Sequence, residues 1–578
     1  MKSLLDYIRP YRTLAILAPL FMMLEVASEL AMPKIMTVLL DQGVAQGDAG
    51  FIGKIGGLML LISVIGIIGG IGCLITSSIV SQRTGTDLRK AAFGKIQEFS
   101  FHNIDTFQTP SLITRLTNDI TQIQITVLMS LRMLVRAPLL CVGSIIMAFS
   151  INVKIATLFL LVVALLALAI SLILRAAMPK FKIVQDKLDK VNTVMRECLA
   201  GIRVVKAFVR DEYETEKFTD SNMEYKNISV NAFKIMLLIM PTMMILLNGS
   251  IVTILWIGGY QAQAGVMGPE DIMAFITYLM QMLMSMMMIA MVFMFMSRAK
   301  VSLDRVMEIL ETVPDISDPA NPVAPKEARG RVEYRNVSYR YQLGSGDSVL
   351  ENVSFIAEQG QTIGILGETG AGKSTLVNLL PRLYDVTEGQ ILLDGVDVRD
   401  YRIKDLRQRV AVVLQETILF SGTIRDNIKW GKGDATEEEI IAAAKAAQAH
   451  DFIMELPEQY DTELGQKGVN VSGGQKQRIS IARALIQNPD IIIFDDSTSA
   501  VDSLTEKKIR QALRESHSKC TKFIIAQRIN SVRDVDNILV LSGGRIVAQG
   551  NHNYLMETSR DYQEIYASQM KKGVLADE

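Results

Sequence analysis

The chain has 578 residues, 49% of them hydrophobic, with a mean hydropathy of +0.25. That is long enough for two or three domains and too apolar for an ordinary soluble protein. Lys plus Arg (60) nearly balance Asp plus Glu (61), for a formal net charge of -1, so nothing points to a nucleic-acid partner, which needs clustered cations.

Six apolar stretches occupy the first half. The first, roughly Leu14 to Leu40, carries Glu25, Glu29 and Lys34. Ile55 to Gln82 is uncharged. Ala137 to Val153 and Ile155 to Leu174 are split only by Lys154. Ile235 to Pro269 and Ile272 to Ser297 are separated by Glu270 and Asp271. Uncharged apolar runs of about 20 residues match the bilayer core, so these are expected to be membrane spans. The start, MKSLLDYIRPYRT, lacks the small-residue cleavage site of a signal peptide.

Cations set the expected orientation. Arg83, Arg89, Lys90, Lys95 and Arg115 fall in one long segment, and Arg175 to Lys234 is also rich in Lys and Arg. The short loops near Asp41–Asp48, Ile151–Lys154 and Gly259–Asp271 are cation-poor. Both long segments and both chain ends are therefore expected in the cytosol, with the helices running well past the bilayer.

Glu25 and Glu29 stand four apart, on one helix face. Intramembrane carboxylates are costly and face a cavity or a partner. They line a substrate path, pair with Lys34 or Arg136, or lie near the membrane edge. The last span is crowded with Met280, Met282, Met284, Met286, Met287, Met288, Met291, Met294 and Met296. Methionine suits adaptable apolar surfaces, but this run covers every helix face, so only a subset can line a path. The four cysteines (Cys73, Cys141, Cys198, Cys520) and four histidines (His102, His450, His517, His552) are too scattered for a metal or redox motif.

Asp315 to Pro325, DISDPANPVAP, reads as a linker. The division expected is 1–312 for the membrane domain, 313–330 for the linker and 331–578 for a soluble α/β domain. There Gly367-Glu-Thr-Gly-Ala-Gly-Lys-Ser374 follows the strand-like run Thr362–Leu366 and opens the helix-like run Thr375–Leu380. That setting is what a phosphate-binding P-loop requires. Its glycines admit close backbone approach, Lys373 supplies charge at the phosphates, and Ser374 can hold Mg²⁺. Ile491–Phe494 ends in Asp495-Asp496, and Asp495 is the expected Mg²⁺ carboxylate. Val471-Ser472-Gly473-Gly474-Gln475 heads a further helix and is a second phosphate-seeking turn. One nucleotide needs one cradle, so the second is expected to serve a nucleotide held by another chain.

Together these motifs resemble the ATP-binding cassette family. Further matches are Gln415 in VVLQET (the Q-loop), Ser499-Ala-Val-Asp502 (the D-loop), Tyr341 in VSYRY, and Thr462–Gly468, which has Gln466 where Glu is usual. A six-span domain ahead of one cassette resembles type I (type IV) exporter half-transporters. The resemblance implies a helical six-span membrane domain fused to an α/β P-loop cassette. It implies that Tyr341, Gly367, Glu368, Thr369, Gly370, Ala371, Gly372, Lys373, Ser374, Thr375 and Gln415 bind ATP, and that Ser374, Gln415 and Asp495 bind Mg²⁺. By position Phe101–Pro110 and Val205–Glu214 look like its coupling helices, and Thr109 to Ile120 is similar to the following segment of bacterial multidrug exporters.

Two positions depart from the family. Asp496 stands where its hydrolytic Glu is, and Gln527, in Ile524-Ile-Ala-Gln-Arg528, stands where its switch His is. Asp is a methylene shorter, and Gln does not titrate. The expectation is a site that holds Mg·ATP and hydrolyses it slowly, beside an intact signature at Val471–Gln475. That pattern resembles the degenerate member of heterodimeric bacterial and archaeal multidrug exporters of the Thermotoga-type pair. It implies a partner half-transporter with intact Glu and His, a location in the cytoplasmic membrane among its lipids, and export of small apolar substrates along a path for which Glu25, Glu29 and Arg136 are candidates. The rivals are a slow homodimer, a lipid flippase (with Arg132 and Arg136 for head groups) and a nucleotide-gated channel or sensor.

Overall fold

A computed structural model describes residues 4–324, 329–341, 348–496 and 501–574. Residues 325–328 of the expected linker and Ser499 and Ala500 of the expected D-loop lie outside the described residues, as does the side chain of Met294. The chain divides into two units, Met1–Ile96 with Pro110–Thr312, and Gln97–Thr109 with Val313–Glu578.

The first unit is helical. Among the described residues, six helical stretches are long and apolar enough to cross a membrane: Leu4–Val44, Ala49–Gln97, Thr109–Ile151, Val153–Ala200, Asp211–Gln263 and Pro269–Ile289. Their outward faces stay apolar, as lipid requires: Leu60 is 71% and Leu61 57% exposed. The tight turn after Ile151 is fixed by Asn152. Its side chain accepts the Lys154 N–H at 3.0 Å and donates to Gln261 at 2.7 Å, capping one helix while tying it to another. Where helices approach most closely the residues are small. A Cβ on Gly69 would lie 2.8 Å from the Phe21 carbonyl oxygen, and one on Gly143 would lie 2.3 Å from Leu30. The methionines divide as expected of a run that covers all faces: Met282 is fully buried and Met284 is 61% exposed.

Among the described residues the second unit holds two larger sheets and a two-stranded ribbon of β7 Gly422–Thr423 and β8 Glu463–Leu464. One runs in the order β2-β1-β4-β5, with β1 Val332–Tyr339, β2 Leu350–Ala357, β4 Glu388–Leu393 and β5 Val396–Asp397. The other runs β12-β11-β3-β10-β9-β6, with β3 Thr362–Gly367, β6 Val410–Val413, β9 Ile491–Asp495, β10 Thr521–Ile525, β11 Asn537–Ser542 and β12 Arg545–Gly550. Strands β6, β9, β10, β3 and β11 are parallel to their neighbours, and only β12 is antiparallel. β9 and β10 are buried at every position. This is the pattern of strands covered on both faces, and it explains their unbroken apolar runs. One core cluster packs the helices Glu437–Ala446 and Gly473–Leu485 on one face. The other packs β1, β2 and β4 on the opposite face. Arg409 ties the layers together: it is bonded to Asp394 and, at 2.6 Å, to Asp490.

Candidate active site

In an open parallel sheet, ligands bind beyond the carboxyl ends of the strands. Here β3, β9 and β10 bring their carboxyl ends together because they are neighbours in the sheet. β3 runs into the loop 368–372. Gly370 and Gly372 have φ of +86° and +92°, left-handed values that favour glycine. A Cβ on Gly372 would also lie 2.8 Å from the Val349 carbonyl oxygen. Sequence demand and packing therefore agree at this position.

The helix Lys373–Asn378 starts there with no side-chain cap. Lys373 Nζ donates to the carbonyls of Gly367 at 2.9 Å and Glu368 at 2.8 Å. Burial holds its pKa below the ordinary lysine value, against the opposing pull of Asp496 and Asp495. Ser374 Oγ donates to Asp495 Oδ1 at 2.9 Å. Asp495 is 5% exposed at the end of β9. The next residue, Asp496, leaves the strand with φ +46°, and its N–H donates to the Ile525 carbonyl at 3.2 Å. Gln527 Nε2 donates to Asp496 Oδ2 at 2.8 Å. The two positions that depart from the family pattern are thus bonded to each other.

These groups enclose a cavity of about 320 Å³ lined by Val349, Thr369, Gly370, Gly372, Lys373, Ser374, Thr375, Gln415, Asp495, Asp496 and Gln527. A hydroxyl, an amide oxygen and a buried carboxylate converge there, oxygen donors of the kind that suit Mg²⁺. The ammonium and loop beside them suit a polyphosphate. Tyr341 OH lies 3.2 Å from Thr375 Oγ1, which places its ring beside the helix that opens the site. Tyr384 packs edge-on to Tyr341, with ring centroids 5.5 Å apart. Its OH donates to Asp105 of the helix Phe101–Phe107 at 2.8 Å, and its ring lies 6.0 Å from Phe101. Sequence reading missed both Tyr384 and Asp105. They lie 279 positions apart, and no motif announces the pair.

Val471–Gln475 do not line this cavity. Ser472 caps the helix Gly473–Leu485: its Oγ accepts the Gln475 N–H, and Gln475 Oε1 accepts the Ser472 N–H at 2.9 Å. Part of this motif is therefore a capping box that stiffens the turn. Asp502 likewise caps the helix Ser503–Ser516 by accepting the Thr505 N–H at 2.9 Å.

The carboxyls of Asp495 and Asp496 are both pushed above the ordinary Asp value, chiefly by burial, while hydrogen bonds from Ser374 and Gln527 respectively pull them back. A carboxyl whose folded pKa is raised stabilises the fold below its unfolded pKa and loses that contribution as pH rises through the folded value. In nucleotide-free protein, Asp495→Asn with Asp496→Asn is therefore expected to raise the melting temperature at about pH 7.5, with the gain vanishing below about pH 4. Melting curves across that range check this. A pH-independent gain would exclude burial of charge as its source.

In the helical unit, Arg136 pairs with Glu25 and, at 2.7 Å, with Glu29. Of the two sequence alternatives for a partner, Arg136 is the one found. The triad lines a cavity of about 510 Å³ with Ser28, Met32, Ser63, Gly66, Ile67, Gly70 and Ile71. Pairing and cavity lining therefore occur together.

Comparison with known proteins places these features. Residues 15–286 match the family model for the ABC transporter transmembrane region, and residues 350–499 match the model for the ABC transporter. An uncharacterized ABC transporter ATP-binding protein of Bacillus subtilis is 41% identical, covering 98% of each chain. An ATP-dependent lipid A-core flippase of Syntrophus aciditrophicus is 34% identical over 87% of this chain and 83% of that protein. A putative multidrug export ATP-binding/permease protein of B. subtilis is 30% identical over 98% of this chain and 99% of that protein. Among solved structures, a bacterial Atm1-family ABC exporter with ATP bound superposes with a TM-score of 0.80 at 27% identity, covering 96% of this chain and 98% of that one.

Proposed function

The chain belongs to the ABC transporter family as an exporter half-transporter, and from that premise we propose that it is the ATP-holding half of a heterodimer that exports apolar and amphipathic compounds across the cytoplasmic membrane. Both chain ends and the cassette lie on the cytosolic side in this reading. The observation that carries it is the hydrogen bond from Gln527 to Asp496.

Tyr341, Gly367 to Thr375 and Gln415 would hold ATP, and Ser374, Gln415 and Asp495 would hold its Mg²⁺. ATP supplies the driving force through its terminal phosphoanhydride. Asp496 stands where a general base is needed, but its carboxylate is on a shorter arm and one oxygen is engaged by the Gln527 amide. A general base contributes about 10²–10⁴-fold, provided that it reaches its proton. Gln527 donates a hydrogen bond but takes up no proton at physiological pH. The binding groups are in place and the proton-handling groups are altered. In this reading Val471, Ser472, Gly473, Gly474 and Gln475 are presented to the partner's nucleotide. That division of labour calls for a partner carrying the Glu and His absent here.

Export of multidrug type is supported by the name of the B. subtilis relative and by the apolar wall around Arg136. A lipid substrate is the second reading, favoured by the name of the flippase relative.

The test is ATP turnover of this chain alone and with its partner half-transporter, in nanodiscs. The chain alone is expected to bind MgATP but to hydrolyse it about 10²-fold more slowly than the pair. Brisk turnover by the chain alone would remove both the slow-site and the heterodimer readings.

A further inference from the structure

The described chain ends in the helix Arg560–Val574, which contributes nothing to the cavity lining. One of its side chains nevertheless reaches the segment that carries Gln527. Gln569 Nε2 donates to the Gln527 carbonyl oxygen at 2.8 Å. Gln569 Oε1 accepts the Ile529 N–H, also at 2.8 Å. Both ends of one planar amide are thus engaged by backbone groups two residues apart, with Arg528 extended between them (φ -103°, ψ 131°).

The location explains why such a clamp is needed. β10 stops at Ile525, and the last sheet-like bond is from the Ala526 N–H to the Ile365 carbonyl. Beyond it the chain loses its strand neighbours, and its backbone groups need other partners. Gln569 supplies two of them. The helix that carries it is firmly seated. Tyr562 is fully buried, its OH lies 2.7 Å from His552 Nδ1, and Ile565 and Tyr566 pack on the core.

We propose that Gln569 is a positioning residue for ATP hydrolysis: it fixes the backbone at Gln527–Ile529, and so sets where the Gln527 side chain meets Asp496. Its two side-chain hydrogen bonds go to Gln527 and Ile529 and not to the cradle at Gly367–Ser374, and it does not line the cavity. Its contribution therefore falls on the hydrolytic step and not on nucleotide affinity. The inference rests on the cavity being the nucleotide site, but not on the slow-site or heterodimer readings.

The experiment uses the full-length chain in nanodiscs. Gln569→Leu removes both bonds at similar size, and Gln569→Glu keeps the acceptor for Ile529 while losing the donor to Gln527. Each is made in the natural sequence and in an Asp496→Glu, Gln527→His background. MgATP affinity, single-turnover hydrolysis and melting temperature are measured. Gln569→Leu is expected to slow hydrolysis by about 10- to 100-fold, the range for a catalytic group misplaced by about 1 Å. MgATP affinity should stay within about twofold, with Gln569→Glu intermediate in rate. Unchanged hydrolysis in both backgrounds overturns the proposal. So does a parallel loss of affinity and rate, which would mark a merely structural residue. If the background substitutions fail to speed hydrolysis, the slow-site reading falls by itself, and the Gln569 comparison in the natural sequence still decides this one.

Discussion

Exchanging Asp496 for Glu and Gln527 for His in the same chain is expected to raise its ATP turnover by about 10²-fold or more. The added methylene carries the carboxylate toward the cavity, and an imidazole can both donate and accept where the amide of Gln527 only donates to Asp496. Because the two side chains are bonded to each other, the effects should not multiply independently. Asp496→Glu alone leaves the amide pulling on the new carboxylate. Gln527→His alone leaves the short acid. Each single exchange should therefore recover only part of the gain. The check is steady-state phosphate release from the four proteins at saturating MgATP, with MgATP affinity measured in parallel. A double variant no faster than its parent would mean that Asp496 already serves as a competent base. The slow-site reading would then be wrong, even though the family assignment stands.

The second large effect is expected in the membrane unit. Arg136→Ala should lower stability by less than the roughly 3–5 kcal/mol that stripping one partner from a fully buried ion pair costs, because the side chains of Arg136, Glu25 and Glu29 stay 22%, 26% and 35% exposed. The substitution leaves the carboxylates of Glu25 and Glu29 in a cavity otherwise walled by Ile67, Ile71, Met32, two glycines and only two hydroxyls, Ser28 and Ser63. Arg136→Lys should recover only part of the loss, because a single ammonium does not reproduce a planar fork that engages both carboxylates. Adding Glu25→Gln and Glu29→Gln to Arg136→Ala should restore most of the stability, since no charge is then stranded. Melting temperatures of the set in one detergent decide the matter. If Arg136→Ala melts with the parent protein, the carboxylates are well hydrated without it. The cluster would then belong to an open path more than to the packing of the helices.

Much of this protein is legible in one dimension because its determinants are local. The length of the uncharged runs follows from bilayer thickness, so the six apolar stretches could be counted before any contact was known. The glycines of the P-loop are prescribed by backbone geometry within a few residues, and Gly370 and Gly372 take the left-handed conformations that such a loop requires. The unbroken apolar run at Ile491–Phe494 is of the kind that a strand covered on both faces requires, and it is buried throughout. Asp496 and Gln527 were also legible, as two substitutions in otherwise intact motifs. That they touch each other was not, because it depends on β9 and β10 being sheet neighbours.

The tertiary structure decided what sequence separation concealed. The choice between Lys34 and Arg136 as partner of Glu25 and Glu29 turns on which helix faces which, and 107 positions lie between Glu29 and Arg136. Tyr384 meets Asp105, and Gln569 clasps the backbone of Gln527 and Ile529, through side chains whose sequence neighbourhoods carry no recognisable pattern. Motifs survive in sequence where a ligand constrains consecutive backbone. Long-range hydrogen bonds constrain only a pair of atoms, and any of several residue types at either end can supply them. The chemistry of this chain was therefore written in its sequence, and the placement of that chemistry was fixed only when the strands and helices packed.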